Sequence, residues 1–296
     1  MDHRIETFLS VVQHRSYTKA AEELHITQPA VSQHIRHLEK KYGVKLFRLE
    51  GKRLHLTDEG VLLATTMKRI RNDERAMERR MHLAASGRRR MVFGVTKTIG
   101  EFVILDIVAA FVKRHPETDI RMVSGNTQEL LAAIDEGEID FALVEGYFDK
   151  DRYACEFFGE EEFIAAAGRD YVFLGSGEGL EELLKERLIV REPGSGTREI
   201  LERYLAFYGL TAEDFEHTIE TGQMRAVIGL LERGAGISFL YRIAVRRELA
   251  AGTVRELPLG TNPLTHRFMF VWQRESAFQD EYLALSREFK EIGGRA

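Results

Sequence analysis

The chain has 296 residues, 44% hydrophobic and 30% charged, the balance of a soluble globular protein that buries more than one core. Its net charge of -5 conceals an asymmetry: residues 1–90 carry 19 Lys or Arg against 11 Asp or Glu, and residues 91–296 carry 23 against 36, the pattern of a nucleic-acid-binding module on an acidic body or of a solvated basic face. No apolar run reaches the roughly 18 residues that span a bilayer, and the opening MDHRIET carries charge where an export signal is apolar, so a cytoplasmic protein is expected.

Ile5, Phe8, Leu9 and Val12 recur at helical spacing and predict a first helix over residues 3–13. In SYTKAAEEL the hydroxyl of Ser16 or Thr18 caps a short second helix, and Ala20, Ala21 and Leu24 let another helix cross closely. A turn through HIT leads into QPAVSQHIRHLEK, with Thr27 as the cap and Pro29 in the first turn, where its missing N–H costs nothing. This is helix-turn-helix spacing. Val31, Ile35 and Leu38 form the inner stripe of the third helix, and Gln28, Pro29, Ala30, Ser32, Gln33 and Arg36 form its outer face. Amides pair with adenine, guanidinium groups with guanine or phosphate, and small apolar groups touch thymine methyls, so that face suits a major groove. An ordinary polar helix surface is the alternative.

Gly43 breaks the helical period, and VKLFRLEGKRLHLT predicts a hairpin with Gly51 at its tip, a wing whose Lys52 and Arg53 reach the backbone or the minor groove. Arg48 fits either DNA or structural packing. Thr57, Asp58 and Glu59 then start a helix to about residue 85. Its thin stripe of Leu62, Leu63, Met67, Ile70, Met77 and Met81 predicts a partner helix, most simply a twin in a homodimer.

After SGRRR the grammar becomes α/β. Strands are predicted at 91–96, 120–125 and 141–146, with helices at 99–114 and 126–136 between them. A strand over 156–168 follows Cys155, read as a half-buried structural thiol. Helices at 178–187, 197–208 and 223–233 alternate with the strands LIVRE, HTIET and GISFL, and HRFMFVWQ with a helix at 277–291 returns the chain to the first unit. Two α/β lobes of this kind enclose a cleft where small ligands bind. The expected domains are a winged helix-turn-helix at 1–58, a linker and dimerisation helix at 59–87, lobe I at 91–161 with 268–292, and lobe II at 162–267.

In REPGSGTREI a strand passes into a helix across Gly194, Ser195, Gly196 and Thr197, where backbone N–H groups and two hydroxyls either seat a carboxylate, sulfate or phosphate or simply cap the helix. It is neither a P-loop nor a nucleophile elbow, because no Lys follows the glycines and Pro193 replaces the first Gly. VTKTIG puts Thr96, Lys97 and Thr98 at the matching break of the first lobe. Glu145 and Glu220 end strands and read as surface carboxylates at the cleft mouth, where Arg191, Arg198 or Lys97 would offset them against an anionic ligand. The histidines show no metal-binding spacing, and no cofactor or catalysis is expected.

The stretch SYTKAAEELHITQPAVSQHIRHLEKKYGVKLFRLEGKRLHLTDEG resembles the winged helix-turn-helix of LysR-type transcriptional regulators, at AA, L, QPAVS, LE, G, LF, R and LT. The resemblance extends over the whole chain. It implies a linker helix and an effector region of two lobes, similar to periplasmic solute-binding proteins and joined by two crossover strands. FALVEG, VREPGSGTRE and FLYRIAVRREL resemble more loosely the members that regulate sulfur, nitrogen or carbon assimilation, while Asp106 and Tyr241 stand where Pro is frequent. The expected DNA contacts are Thr18 with Gln28, Pro29, Ala30, Ser32, Gln33, Arg36, Lys52 and Arg53, and the expected effector contacts are Thr96, Lys97, Thr98, Glu145, Ser195, Gly196, Thr197 and Glu220. The expected partners are double-stranded promoter DNA, an anionic or amphoteric small metabolite, further copies of the chain as dimer or tetramer, and RNA polymerase. An enzyme or transport-type binding protein would need an export signal or an activated acid/base group, and a non-specific architectural DNA protein would not need the polar outer face.

Overall fold

A computed structural model describes all residues except 52, 85–86, 175–178, 259–263 and 295–296. The chain divides into two compact units, Met1–Arg79 with Asp135–Gly137, and Arg80–Ile134 with Glu138–Ala296.

The first unit holds three short helices. In α1 (His3–His14) the Asp2 carboxylate accepts from Arg4 N–H, in α2 (Tyr17–Glu23) the Ser16 hydroxyl accepts from Lys19 N–H, and in α3 (Gln28–Tyr42) the Thr27 hydroxyl accepts from Ala30 N–H. Each cap satisfies an amide that the first helical turn leaves free. Ile5, Phe8, Leu9, Ala20, Val31, Ile35 and Leu38 fill one core; Val11 is buried outright, and the expected Val12 only partly. The strands β1 (Phe47–Glu50) and β2 (Arg53–Leu56) pair antiparallel to make the wing, with Gly51 at φ 63° in the turn. Helix α4 (Asp58–Ala84) follows, its Thr57 cap accepting from Gly60 N–H. Its apolar stripe divides between two faces. Leu63 and Ala64 join the core and Met67 packs against it, whereas Leu62, Ile70, Met77 and Met81 are exposed. In the same unit Glu136 receives Lys68 Nζ at 2.9 Å and Arg71 Nη2 at 3.0 Å. Burial pushes the Glu136 carboxyl up, and these two cations more than reverse it, holding it below its ordinary value.

In the second unit β3 (Arg89–Thr96), α5 (Lys97–Phe102), α6 (Ile104–Arg114), β4 (Thr118–Gly125), α7 (Thr127–Asp135) and β5 (Phe141–Val144) come first. The helix expected over 99–114 breaks at Val103, whose φ of -118° departs from helix geometry, so α5 is a separate short helix. Next come β6 (Tyr153–Gly168), α8 (Leu180–Leu183), β7 (Arg187–Arg191), α9 (Gly196–Phe207), β8 (His217–Thr221), α10 (Met224–Glu232), β9 (Ile237–Tyr241), α11 (Arg246–Ala251), β10 (Val254–Leu257), β11 (Leu264–Gln273) and α12 (Gln279–Gly293). Where a helix over 178–187 was expected, α8 has four residues, because β7 takes the chain from Arg187 onward.

One mixed sheet has the order β4-β3-β5-β11-β6-β9-β7-β8, with β10 on β6. Its two parallel groups, β4-β3-β5 and β9-β7-β8, are joined through the long antiparallel pair β6 and β11. The first part of β6, Tyr153 to Phe163, pairs with β11, and from Phe163 onward it pairs with β9 and β10. These are the two crossover strands of a two-lobed α/β architecture. β5, β7 and β9 are buried almost throughout, as strands covered on both faces must be. Phe93, Phe141 and Phe270 stack in series and meet Phe289 of α12, which fixes the last helix to the first lobe.

Candidate DNA-reading face and effector cleft

The outer face of α3 follows from its cap and its stripe. With Val31, Ile35 and Leu38 turned inward, Gln28, Pro29, Gln33 and Arg36 are exposed, and Ala30 and Ser32 half-exposed. Gln28 Nε2 donates to Ser32 Oγ at 3.0 Å and Arg36 Nε to the Ser32 carbonyl at 3.3 Å, so part of the face is pre-ordered on the helix itself. Thr18 on α2 and Arg53 at the start of β2 are exposed; Lys52 lies outside the described residues. Arg48 pairs with Glu50 at 3.1 Å on the wing.

At the C-terminal ends of the parallel strands, the effector candidates separate into a buried group and a surface group. Glu145 follows β5 and is 2% exposed, against the surface position read from the sequence. Its Oε1 accepts from Thr98 Oγ1 at 3.1 Å and from Thr197 Oγ1 at 2.9 Å, and Thr127 Oγ1 donates to its carbonyl at 2.5 Å. Thr98 belongs to α5 and Thr197 to the first turn of α9, so one carboxyl joins both lobes. The approach is close: a Cβ on Gly196 would stand 2.6 Å from Glu145 Cγ. Burial pushes the Glu145 carboxyl up to about 7, against the lowering effect of the Thr197 and Thr98 donors and the Arg191 charge.

Arg191, at the end of β7, is also buried; its Nε and Nη2 donate to Glu192 at 2.8 and 3.1 Å. Lys97 Nζ reaches Glu192 Oε1 at 2.9 Å and the Gly222 carbonyl at 2.5 Å, a second link between the lobes. Burial raises the Glu192 carboxyl, and Arg191 and Lys97 reverse this and hold it low. Arg191 Nη1, Glu145 Oε2 and Thr96 Oγ1 are buried with no hydrogen-bond partner. Ser195, the N-cap of α9, is buried and forms no side-chain cap. Glu220 is exposed and pairs with Arg198, and so lies apart from the buried group. A cavity of about 540 Å³ opens at the other ends of β3, β4 and β5; in its charged lining Arg80 pairs with Glu281, Arg88 with Asp119 and His115 with Glu288. Among the described residues no cluster of His, Cys, Asp or Glu is arranged to hold a metal, and no helix is long and apolar enough to cross a membrane.

Residues 3–61 match the bacterial regulatory helix-turn-helix family of lysR type, and residues 84–291 match the LysR substrate binding domain. The chain belongs to the LysR-type transcriptional regulators. This LysR-type regulator is 30% identical to the HTH-type transcriptional regulator CysL of Bacillus subtilis, over 90% of this chain and 89% of that one. It is 29% identical to the RuBisCO operon transcriptional regulator of Allochromatium vinosum, over 92% and 89%. Full-length LysG of Corynebacterium glutamicum, with bound effector Arg, shares the fold at a TM-score of 0.65 and 16% identity, covering 99% of this chain and 98% of that one. A DNA-binding helix-turn-helix unit and an α/β effector-binding domain are thus the two working parts of the regulator.

Glu192, Thr127 and the pair of Glu199 with the Tyr147 backbone N–H, at 3.3 Å, were not singled out from the sequence. The adjacent opposite charges of Arg191 and Glu192, just after LIV, were the available signal.

Proposed function

We propose that this LysR-type regulator reads its operator through Thr18, Gln28, Pro29, Ala30, Ser32, Gln33, Arg36, Lys52 and Arg53, as a cytoplasmic homo-oligomer paired along α4. It binds an anionic or amphoteric metabolite between lobe I (91–161 with 268–292) and lobe II (162–267), and that ligand alters its action on promoter DNA and RNA polymerase. It performs no catalysis. The observation that carries the effector reading is the buried polar group of Thr98, Glu145, Arg191 and Thr197 at the strand ends. Such a group destabilises the fold unless its polar atoms find partners, and Arg191 Nη1 and Thr96 Oγ1 have none. Arg191, the α9 amides, Ser195 and Lys97 offer donors for an acid group.

A thermal-shift screen of metabolite acids and inorganic anions tests the reading, because a ligand of the native state raises apparent stability. A stabilising acid should lose its effect in Ser195→Ala and keep it in a Glu220→Gln control. Equal stabilisation of the parent and Ser195→Ala places the ligand elsewhere.

A further inference from the structure

Glu145 is out of place in a cleft built of donors. Its Oε1 takes the only hydrogens that the Thr98 and Thr197 hydroxyls have, so those hydroxyls are not free to donate to a ligand. Oε2 is left buried and unpartnered. The charges around it are already balanced: Glu192 is shared by Arg191 and Lys97, so the two cations face two carboxylates once Glu145 is ionised. An anion arriving at the start of α9 then adds uncompensated negative charge to a buried space, beside an oxygen that offers only lone pairs. A proton on Oε2 meets both objections, because the neutral carboxyl becomes a donor and one negative charge is removed: a singly charged anion then restores the balance, and a doubly charged one leaves a single excess charge in place of two.

We propose that the cleft takes a small oxyanion together with one proton, and that Glu145 Oε2 carries the proton. The proton comes from solvent and no covalent bond is made or broken. This rests on the effector site proposed above. The elevated carboxyl of Glu145 means that the proton is taken up near neutral pH rather than in acid.

The other titratable groups facing this carboxyl do not supply such a step. Glu192 is held low between Arg191 and Lys97, and Tyr241 of β9 is raised well above its ordinary value by burial. On α9, Glu199 receives Tyr147 N–H and Arg203, and Arg198 is engaged by Glu202 and Glu220. On α7, Glu129 receives Asn126 N–H. His266 of β11 is lowered from its ordinary value by burial, which disfavours its charged form.

Titration calorimetry of sulfate into the full chain, in buffers of different ionisation heat, tests the inference. Sulfate does not itself titrate near neutrality, so any proton taken up belongs to the protein. Proton uptake should approach one per anion at about pH 8.5 and vanish at about pH 5.5, with affinity falling roughly tenfold per pH unit above the Glu145 midpoint. Glu145→Gln, which keeps an N–H donor without a titrating group, should bind sulfate with no pH slope. Binding by the parent without proton uptake, or an unchanged slope in Glu145→Gln, overturns the inference and leaves the anion site standing. If neither protein binds sulfate at either pH, the anion site falls with it. Should Glu145→Gln fail to fold, the proton count of the parent decides alone.

Discussion

Thr197 Oγ1 donates to Glu145 Oε1 at 2.9 Å, so the first turn of α9 in one lobe is joined to the residue that follows β5 in the other. The two lobes are therefore linked by a buried hydrogen bond to a carboxyl that burial pushes up to about 7.

Thr197→Val keeps the shape and removes the donor. It should destabilise the chain by about 1–3 kcal/mol at pH 8, where Glu145 is ionised and needs the hydrogen bond, and by less at pH 5. Urea unfolding at the two pH values measures this; an equal loss at both would mean that the hydroxyl matters only as packing.

Glu145 itself makes stability depend on pH. Its folded carboxyl lies at about 7 against an ordinary 4.5, so the folded state holds the proton more tightly than the unfolded one. The contribution is full below the unfolded value and is lost as pH rises through about 7. Relative to Glu145→Gln, the parent should therefore lose stability on the order of 3 kcal/mol between those limits, read from paired urea titrations. A flat difference would contradict the buried carboxyl.

Gly196→Ala forces a Cβ to 2.6 Å from Glu145 Cγ and 2.7 Å from its carbonyl oxygen. The lobes must part or Glu145 must leave. Effector response should be lost while effector-free operator binding persists, because the helix-turn-helix has a core of its own. Gly159→Ala, with open space at its Cβ, should behave as the parent.

Gln33→Ala on the exposed face of α3 should weaken operator binding by about 1–3 kcal/mol and leave binding to random DNA nearly unchanged, since an amide-base contact carries sequence information. Equal losses on both DNAs would remove Gln33 from base reading.

Ile70 and Met77 are 44% and 46% exposed on α4, so a charge there does not enter the protomer core. Ile70→Asp or Met77→Asp should instead separate the oligomer into protomers by placing an unpaired charge in a helix-helix seam. Sedimentation that matches the parent would reject pairing along this face.

The sequence by itself determined the elements whose signals are local. Thr27, Pro29 and Gly43 bracket α3, and its period of Val31, Ile35 and Leu38 decides which side faces out, because capping and amphipathic spacing act within a few residues. The lengths of strands such as HTIET were legible for the same reason. Only the tertiary structure decided what pairing and burial control. β10 exists because β6 offers it an edge, and α8 is short because β7 draws Arg187 into the sheet. The stripe of α4 divides because Leu63 meets a core that Leu62 faces away from. Glu145 is the clearest case. A Glu after an apolar strand reads as a surface group, and nothing near it in the chain announces that Thr98 and Thr197, 47 and 52 residues away, will close over it. Desolvation depends on what packs around a carboxyl in space, and that is set by the meeting of two lobes rather than by neighbours in sequence.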